Sequence, residues 1–321
     1  MTVNTKPPSR HTGSLIERAA EAFDLGLHAV PLKPAQPVQA PEIARLAADA
    51  PAMPSETRRT APLPVRDDRV ADAPVRGHLR ADVDIEHLRD AGFIIPGAPA
   101  SILSEEFRLI KRTLLLGALG GPKTQPLANG RLILVCSGQP NEGKTFTAVN
   151  LALSLATEAD IDVLLVDADV AKPEVLSTLG LPGSAGLMDA LVDHSLDVER
   201  MIIQTNIPKL SVLPAGRAAA NDTEALASEH AHALIRGLID VSPRRIVVFD
   251  SAPVLAASPA AVLAHHVGQT LMVVRADQTG EAELRESVEL LGGCPNINLM
   301  LNSVTYFGSG KKYGAYYGLG D

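Results

Sequence analysis

The chain has 321 residues, 46% of them apolar, a net charge of −8, aromatics at only 3% and no tryptophan. This is enough apolar material for one large α/β core, and the acidic balance argues against a nucleic-acid-binding surface spread over the sequence. Two cysteines, Cys136 and Cys294, are too few for a disulfide framework and fit a reducing compartment; no apolar run is long enough to span a membrane, and the N-terminus lacks the apolar core of a signal peptide.

In chain order, residues 1–90 are expected to be a largely disordered extension. Residues 1–80 hold 11 of the 24 prolines and show no sustained period. One island interrupts them, a short helix at 14–27. Ser14 and Glu17 form a capping box there, and Leu15, Ala19, Ala22 and Phe23 make an apolar stripe suited to docking on a partner. A folded domain is expected over 91–305. It opens with a helix from Ser104 to Leu119. Apolar strand-like runs follow at Arg131–Cys136, Asp162–Val166, Lys209–Leu213, Arg245–Phe249, Thr270–Arg275 and Ile297–Leu301. Helical stretches separate them at Lys144–Glu158, Leu187–Asp193, Thr223–Asp240, Pro259–His266 and Glu281–Leu291. Strands that are apolar on both faces, alternating with helices, predict a doubly wound, mostly parallel sheet. His265-His266 reads as a solvated helix end, and Cys136 as a small core residue. Residues 306–321 are glycine-rich and read as a flexible tail.

Gly138-Gln139-Pro140-Asn141-Glu142-Gly143-Lys144-Thr145 fits the phosphate-binding loop G-x-x-x-x-G-K-[ST]. The apolar run LILVCS leads into it and the helical stretch Lys144–Glu158, with Phe146 in its first turn, follows, which is the context the motif requires. Backbone N–H groups and the helix N-terminus would hold the phosphates of a nucleotide, Lys144 would reach the β- and γ-phosphates, and the Thr145 hydroxyl would ligate Mg²⁺. Two more apolar strands end in acids, at Asp167-Ala-Asp169 and at Asp250. All three carboxylates therefore fall on the edge of the sheet where such folds bind ligands. Two are candidates for Mg²⁺, and the third is available as a general base. The four tyrosines, Tyr306, Tyr313, Tyr316 and Tyr317, all lie in the last 16 residues, and a cluster of phenols on a mobile tail suits phosphoryl acceptance. ATPases that partition plasmids or place division sites carry a second lysine directly after the first glycine of the loop. Here that residue is Gln139, which weakens such a reading and the alternative of a nucleotide-switched positioning ATPase with it.

Over residues 100–321 these motifs together resemble the bacterial tyrosine kinases of capsule and exopolysaccharide synthesis. SGQPNEGKT, VLLVDADVAKP, VVFDSAP and the terminal tyrosine cluster carry the resemblance. Asn141 stands where a glycine is usual; its backbone can still adopt a left-handed conformation. The resemblance implies a P-loop NTPase fold and an ATP- and Mg²⁺-dependent tyrosine autokinase that phosphorylates its own tail and regulates polysaccharide chain length and export. It implies Asp167 as the base beside Lys144, and Thr145, Asp169 and Asp250 as the Mg²⁺ ligands. It also implies that Glu105, Arg108 and Lys111, similar to an E-x-x-R-x-x-R helix, mediate ring-like self-association. The implied partners are a membrane chain-length regulator that activates the kinase and a protein-tyrosine phosphatase. The implied location is the cytoplasm, peripherally associated with the inner membrane through that regulator. Ser14–Asp24 and Lys172-Pro173 look most like the exosortase-associated branch of tyrosine autokinases.

Overall fold

The structure, a computed structural model, describes residues 79–218 and 221–304. In chain order the elements are β1 (Leu79–Ala81), α1 (Ile85–Asp90), α2 (Ile102–Leu119), β2 (Leu132–Ser137), α3 (Lys144–Leu155), β3 (Asp162–Ala168), α4 (Val175–Leu179), α5 (Leu187–Val192), a 3₁₀ turn (Val198–Met201), β4 (Ile203–Thr205), β5 (Leu210–Leu213), α6 (Asp222–Leu226), α7 (Glu229–Asp240), β6 (Arg245–Ser251), α8 (Pro259–Ala264), β7 (Gln269–Arg275), α9 (Glu281–Leu290) and β8 (Ile297–Asn302). The strands form one sheet in the order β1-β4-β5-β3-β6-β2-β7-β8. Every pairing is parallel except β4 with β5.

The central strands are covered on both faces, which is why their sequences read as continuous apolar runs. Along β2 every residue is buried. Ile133 and Val135 point into a core layer with Phe107, Leu114 and Leu151, and Leu132, Leu134 and Cys136 into a second layer with Leu187, Ile235 and Leu263. The fold is therefore the doubly wound, mostly parallel α/β architecture expected from the alternation of elements. Burial raises the Cys136 thiol far above its ordinary pKa, so it remains a protonated core residue.

Several boundaries differ from the sequence expectation. The helix expected over Thr223–Asp240 is two helices. Ser228 caps the second, its Oγ accepting from Ala231 N at 3.0 Å, because serine offers the backbone an N-cap bond that a helix interior cannot use. Packed structure also begins before residue 91. β1 pairs with β4, Asp84 N donates to Leu179 O at 3.0 Å, and Val83 and Leu88 are buried in the first core layer. Residues 79–90 are thus part of the domain rather than of the extension. His266 is buried, not a solvated helix end. Its Nε2 lies 2.9 Å from Leu226 O and its Nδ1 3.3 Å from His232 Nδ1, and burial holds its pKa below the usual histidine value. The helix expected at 14–27, the rest of the extension to residue 78, and Tyr306, Tyr313, Tyr316 and Tyr317 lie outside the described residues. Among those described, no helix is long and apolar enough to cross a membrane.

Candidate active site

β2 runs straight into the loop Gly138–Thr145, and α3 begins at Lys144 with Gly143 as its N-cap. The loop closes through two left-handed residues, Asn141 at φ 65° and Gly143 at φ 96°. Asparagine tolerates this region because its short polar side chain bonds locally, so the substitution keeps the loop's path. Gly143 has a second constraint. A Cβ there would fall 2.3 Å from Asn302 Nδ2, and that amide donates to Glu142 O at 2.8 Å. The Glu142 carboxylate turns back from the cradle, accepting from Gln139 N at 2.9 Å and from the Thr279 hydroxyl. Glu142, one of the residues expected to bind ATP, thus has its side chain turned to brace the loop from the β7–β8 side.

The three acids are brought together by sheet register. Asp167 and Asp250 are direct neighbours on β3 and β6, and Asp169 lies two residues further along. Their roles diverge. Asp169 forms an ion pair with Lys144, Oδ2 to Nζ 2.7 Å, and its Oδ1 accepts from Lys172 N at 3.1 Å. Asp167 is fully buried; one oxygen accepts from Asp169 N at 3.2 Å and the other from Val175 N at 3.1 Å. Burial raises its pKa to about 6 against the opposing pull of these two amides. Asp167 thus holds the 169–175 loop in place and faces no open space. Asp250 is also fully buried, and neither of its oxygens has a hydrogen-bond partner in the protein. Burial pushes its pKa up to about 7, with the charge of Lys144 pulling the other way and Asp167 and Asp169 adding to the rise. For Lys144 burial works downward, but the charges of Asp250 and Asp169 outweigh it and hold the ammonium above its ordinary pKa.

Two orphaned carboxylate oxygens next to the loop threonine are a donor set that fits a small hard cation. Among the described residues no group of three or more His, Cys, Asp or Glu side chains is placed to hold a metal by itself. A cation beside Asp250 and Thr145 would then complete its shell with nucleotide phosphates and water, as Mg²⁺ does.

Lys144, Thr145 and Asp169 open into a cavity of about 640 Å³. Its walls include Phe93, Phe146, Lys172 and Pro253. Phe146, expected among the ATP-binding residues, lines this cavity. Phe93, which lines it, and Asn150, which bonds to Ile94 N and Phe146 O, went unnoticed in the sequence. The only signal for Asn150 was a lone polar amide in the apolar helix FTAVNLALSL.

The expected self-association strip is not continuous. Glu105 and Arg108 pair at 2.7 Å on the outer face of α2. Lys111 instead turns inward: its ammonium donates to Ser154 O at 2.9 Å and Thr157 Oγ1 at 3.0 Å and pairs with Glu158 at 2.6 Å. A spacing of three residues slips round a helix, so Lys111 lies about 120° from Glu105. Arg112 is the exposed cation at that level.

The fold and this site define a P-loop nucleotide-binding α/β protein with acids on adjacent strand ends. No protein-family model matches the chain. Tyrosine-protein kinase YwqD of Bacillus subtilis is 28% identical over 225 residues, covering 70% of this chain and 90% of that protein. Tyrosine-protein kinase wzc of Salmonella typhimurium is 26% identical over 244 residues, 75% of this chain but 32% of its own length. The kinase domain of Escherichia coli tyrosine kinase ETK superposes with a TM-score of 0.54 at 20% identity, over 72% of this chain and 93% of that domain, a likeness of fold. The chain is thus similar in sequence to bacterial tyrosine-protein kinases over 70% or more of its length.

Proposed function

We propose that the chain is an ATP-dependent protein-tyrosine kinase whose acceptors are Tyr306, Tyr313, Tyr316 and Tyr317, offered mainly by one copy to the site of another. The observation that carries this reading is the convergence of Lys144, Asp169 and the unpartnered Asp250 beside the loop Gly138–Thr145, with a cavity lined by Lys144 and Asp169. In the transfer, the acceptor phenol oxygen bonds to the γ-phosphorus as the bond to the bridging oxygen breaks. ADP departs with that electron pair, and the phenol proton passes to a carboxylate or to water. Such transfers ask mainly for position and charge stabilisation. Lys144 swings from Asp169 to the phosphates, the loop amides hold them in line, and the apolar cavity walls exclude water. Thr145, Asp250 and Asp169 would hold Mg²⁺, which would supply charge neutralisation to the phosphates when bound. Asp167 keeps its role as proton acceptor on one condition: the 169–175 loop must release one of its oxygens when nucleotide binds.

Within the same proposal, Glu105 and Arg108, with Arg112 in the place expected of Lys111, join copies into a ring. A membrane chain-length regulator of polysaccharide export activates the kinase and holds it at the inner membrane, and a phosphatase resets the tail. The exosortase-associated branch rests on the Ser14–Asp24 and Lys172-Pro173 segments alone. Gln139 speaks against the partition-ATPase alternative. The test is transfer in a mixture. Kinase-dead Lys144→Met chain should acquire phosphotyrosine from active, tail-deleted chain, with phosphate mapped by mass spectrometry to the four tail tyrosines. Phosphate confined to serine or threonine would refute the tyrosine-kinase reading.

A further inference from the structure

We infer that Phe93 and Phe146 form the subsite that receives the ring of the acceptor tyrosine, and so favour phenols over aliphatic hydroxyls. This rests on the kinase reading above. The two rings stand 4.8 Å apart at 44° in the wall of the cavity that contains Lys144 and Asp169. The chain has only six phenylalanines, and two of them meet here. One buried side chain holds both: Asn150 accepts from Ile94 N at 2.8 Å and donates to Phe146 O at 2.9 Å. Phe93 N donates to Leu88 O at 2.9 Å, so the 93–94 strap is tied both to the core and to the phosphate-loop helix. The pair therefore keeps a fixed relation to Lys144, two residues before Phe146.

Position separates an acceptor from a nucleoside. The cavity lies on the β3–β6 side of the loop, with Asp169, while the β7–β8 side is taken by the Thr279 and Asn302 braces on Glu142. An in-line acceptor must approach the γ-phosphate from the side opposite the departing diphosphate, and Lys144, the residue that would contact that phosphate, lines this cavity together with Asp169. Ala171, Ala252, Pro253 and Ala256 also line it. Phosphate has no use for apolar and aromatic walls; a phenol ring does, through offset or edge contacts.

The test uses full-length enzyme with the four tail tyrosines changed to phenylalanine, so that it cannot label itself, and a synthetic peptide of residues 305–321 as acceptor. Phe93→Leu should raise the peptide KM about three- to tenfold, the range set by aromatic pair energies, with the KM for ATP unchanged. The peptide Kd, read by fluorescence polarisation with Mg²⁺ and a non-hydrolysable ATP analogue, should rise by the same factor. Phe93→Tyr, which keeps the ring, should restore both. Should Phe93→Leu fail to fold, Phe93→Met takes its place with the same expectation. An unchanged peptide KM in folded enzyme, or a rise in the KM for ATP instead, overturns the inference while leaving the kinase reading intact. A parent enzyme that labels no tyrosine refutes both.

Discussion

Asp250→Asn should stabilise the nucleotide-free protein while it weakens Mg-ATP binding. Asp250 is fully buried with no partner for either oxygen, and its pKa stands at about 7 rather than 3.8. An acid whose folded pKa lies above its unfolded value contributes its full stability below the unfolded pKa. That contribution is lost as pH rises towards the folded pKa, because the unfolded chain releases the proton first. A shift of about three units corresponds to about 4 kcal/mol once both states are ionised, at 1.36 kcal/mol per unit. Asparagine has the same shape and no charge to desolvate, and Lys144 keeps Asp169 at 2.7 Å. In the absence of divalent cations, urea unfolding should find the variant more stable than wild type by about 2 kcal/mol at pH 5 and about 4 kcal/mol at pH 8. Calorimetry at pH 8 should find Mg-ATP binding weakened. The reasoning fails if the stability difference does not grow with pH, or if Mg-ATP affinity survives the change.

Leu88→Ala should cost about 3 kcal/mol, the usual result of emptying a fully buried leucine site. By the same reasoning, chain starting at Val75 should bind nucleotide with wild-type stability, while chain starting at Ala91 should melt at a markedly lower temperature in calorimetry. Asp167→Asn should lower the rate of tyrosine labelling far more than it weakens Mg-ATP binding, and labelling at wild-type rate would remove the base assignment. Separate reversals Glu105→Lys and Arg108→Glu should reduce assemblies to monomers in light scattering, whereas Lys111→Ala should instead destabilise the fold, because it strips Ser154, Thr157 and Glu158 of their buried partner. Lys144→Met should abolish labelling with an unchanged circular-dichroism spectrum.

The sequence alone determined the features that are encoded locally. Glycines, a lysine and a threonine at fixed spacing between a strand and a helix form a local pattern, so the path of the loop Gly138–Thr145 was legible in the sequence. The covered strands were legible because burial on both faces leaves continuous apolar runs ending in Asp167, Asp169 and Asp250. Tertiary structure decided whatever depends on which distant segment lies opposite. Residues 79–90 read as linker because three-residue β1 and six-residue α1 carry too little pattern, and only pairing with β4 and burial of Leu88 make them part of the domain. The E-x-x-R-x-x-K spacing suggested one face, but helical drift and the carbonyl of Ser154 drew Lys111 into the core. Asp167 and Asp169 alternate along the chain, yet the Val175 amide captured the first and Lys144 the second. Phe93 met Phe146 across 53 residues of chain through the amide of Asn150. A contact of that kind is chosen by the packing of helix on sheet, and no periodicity in the sequence records it.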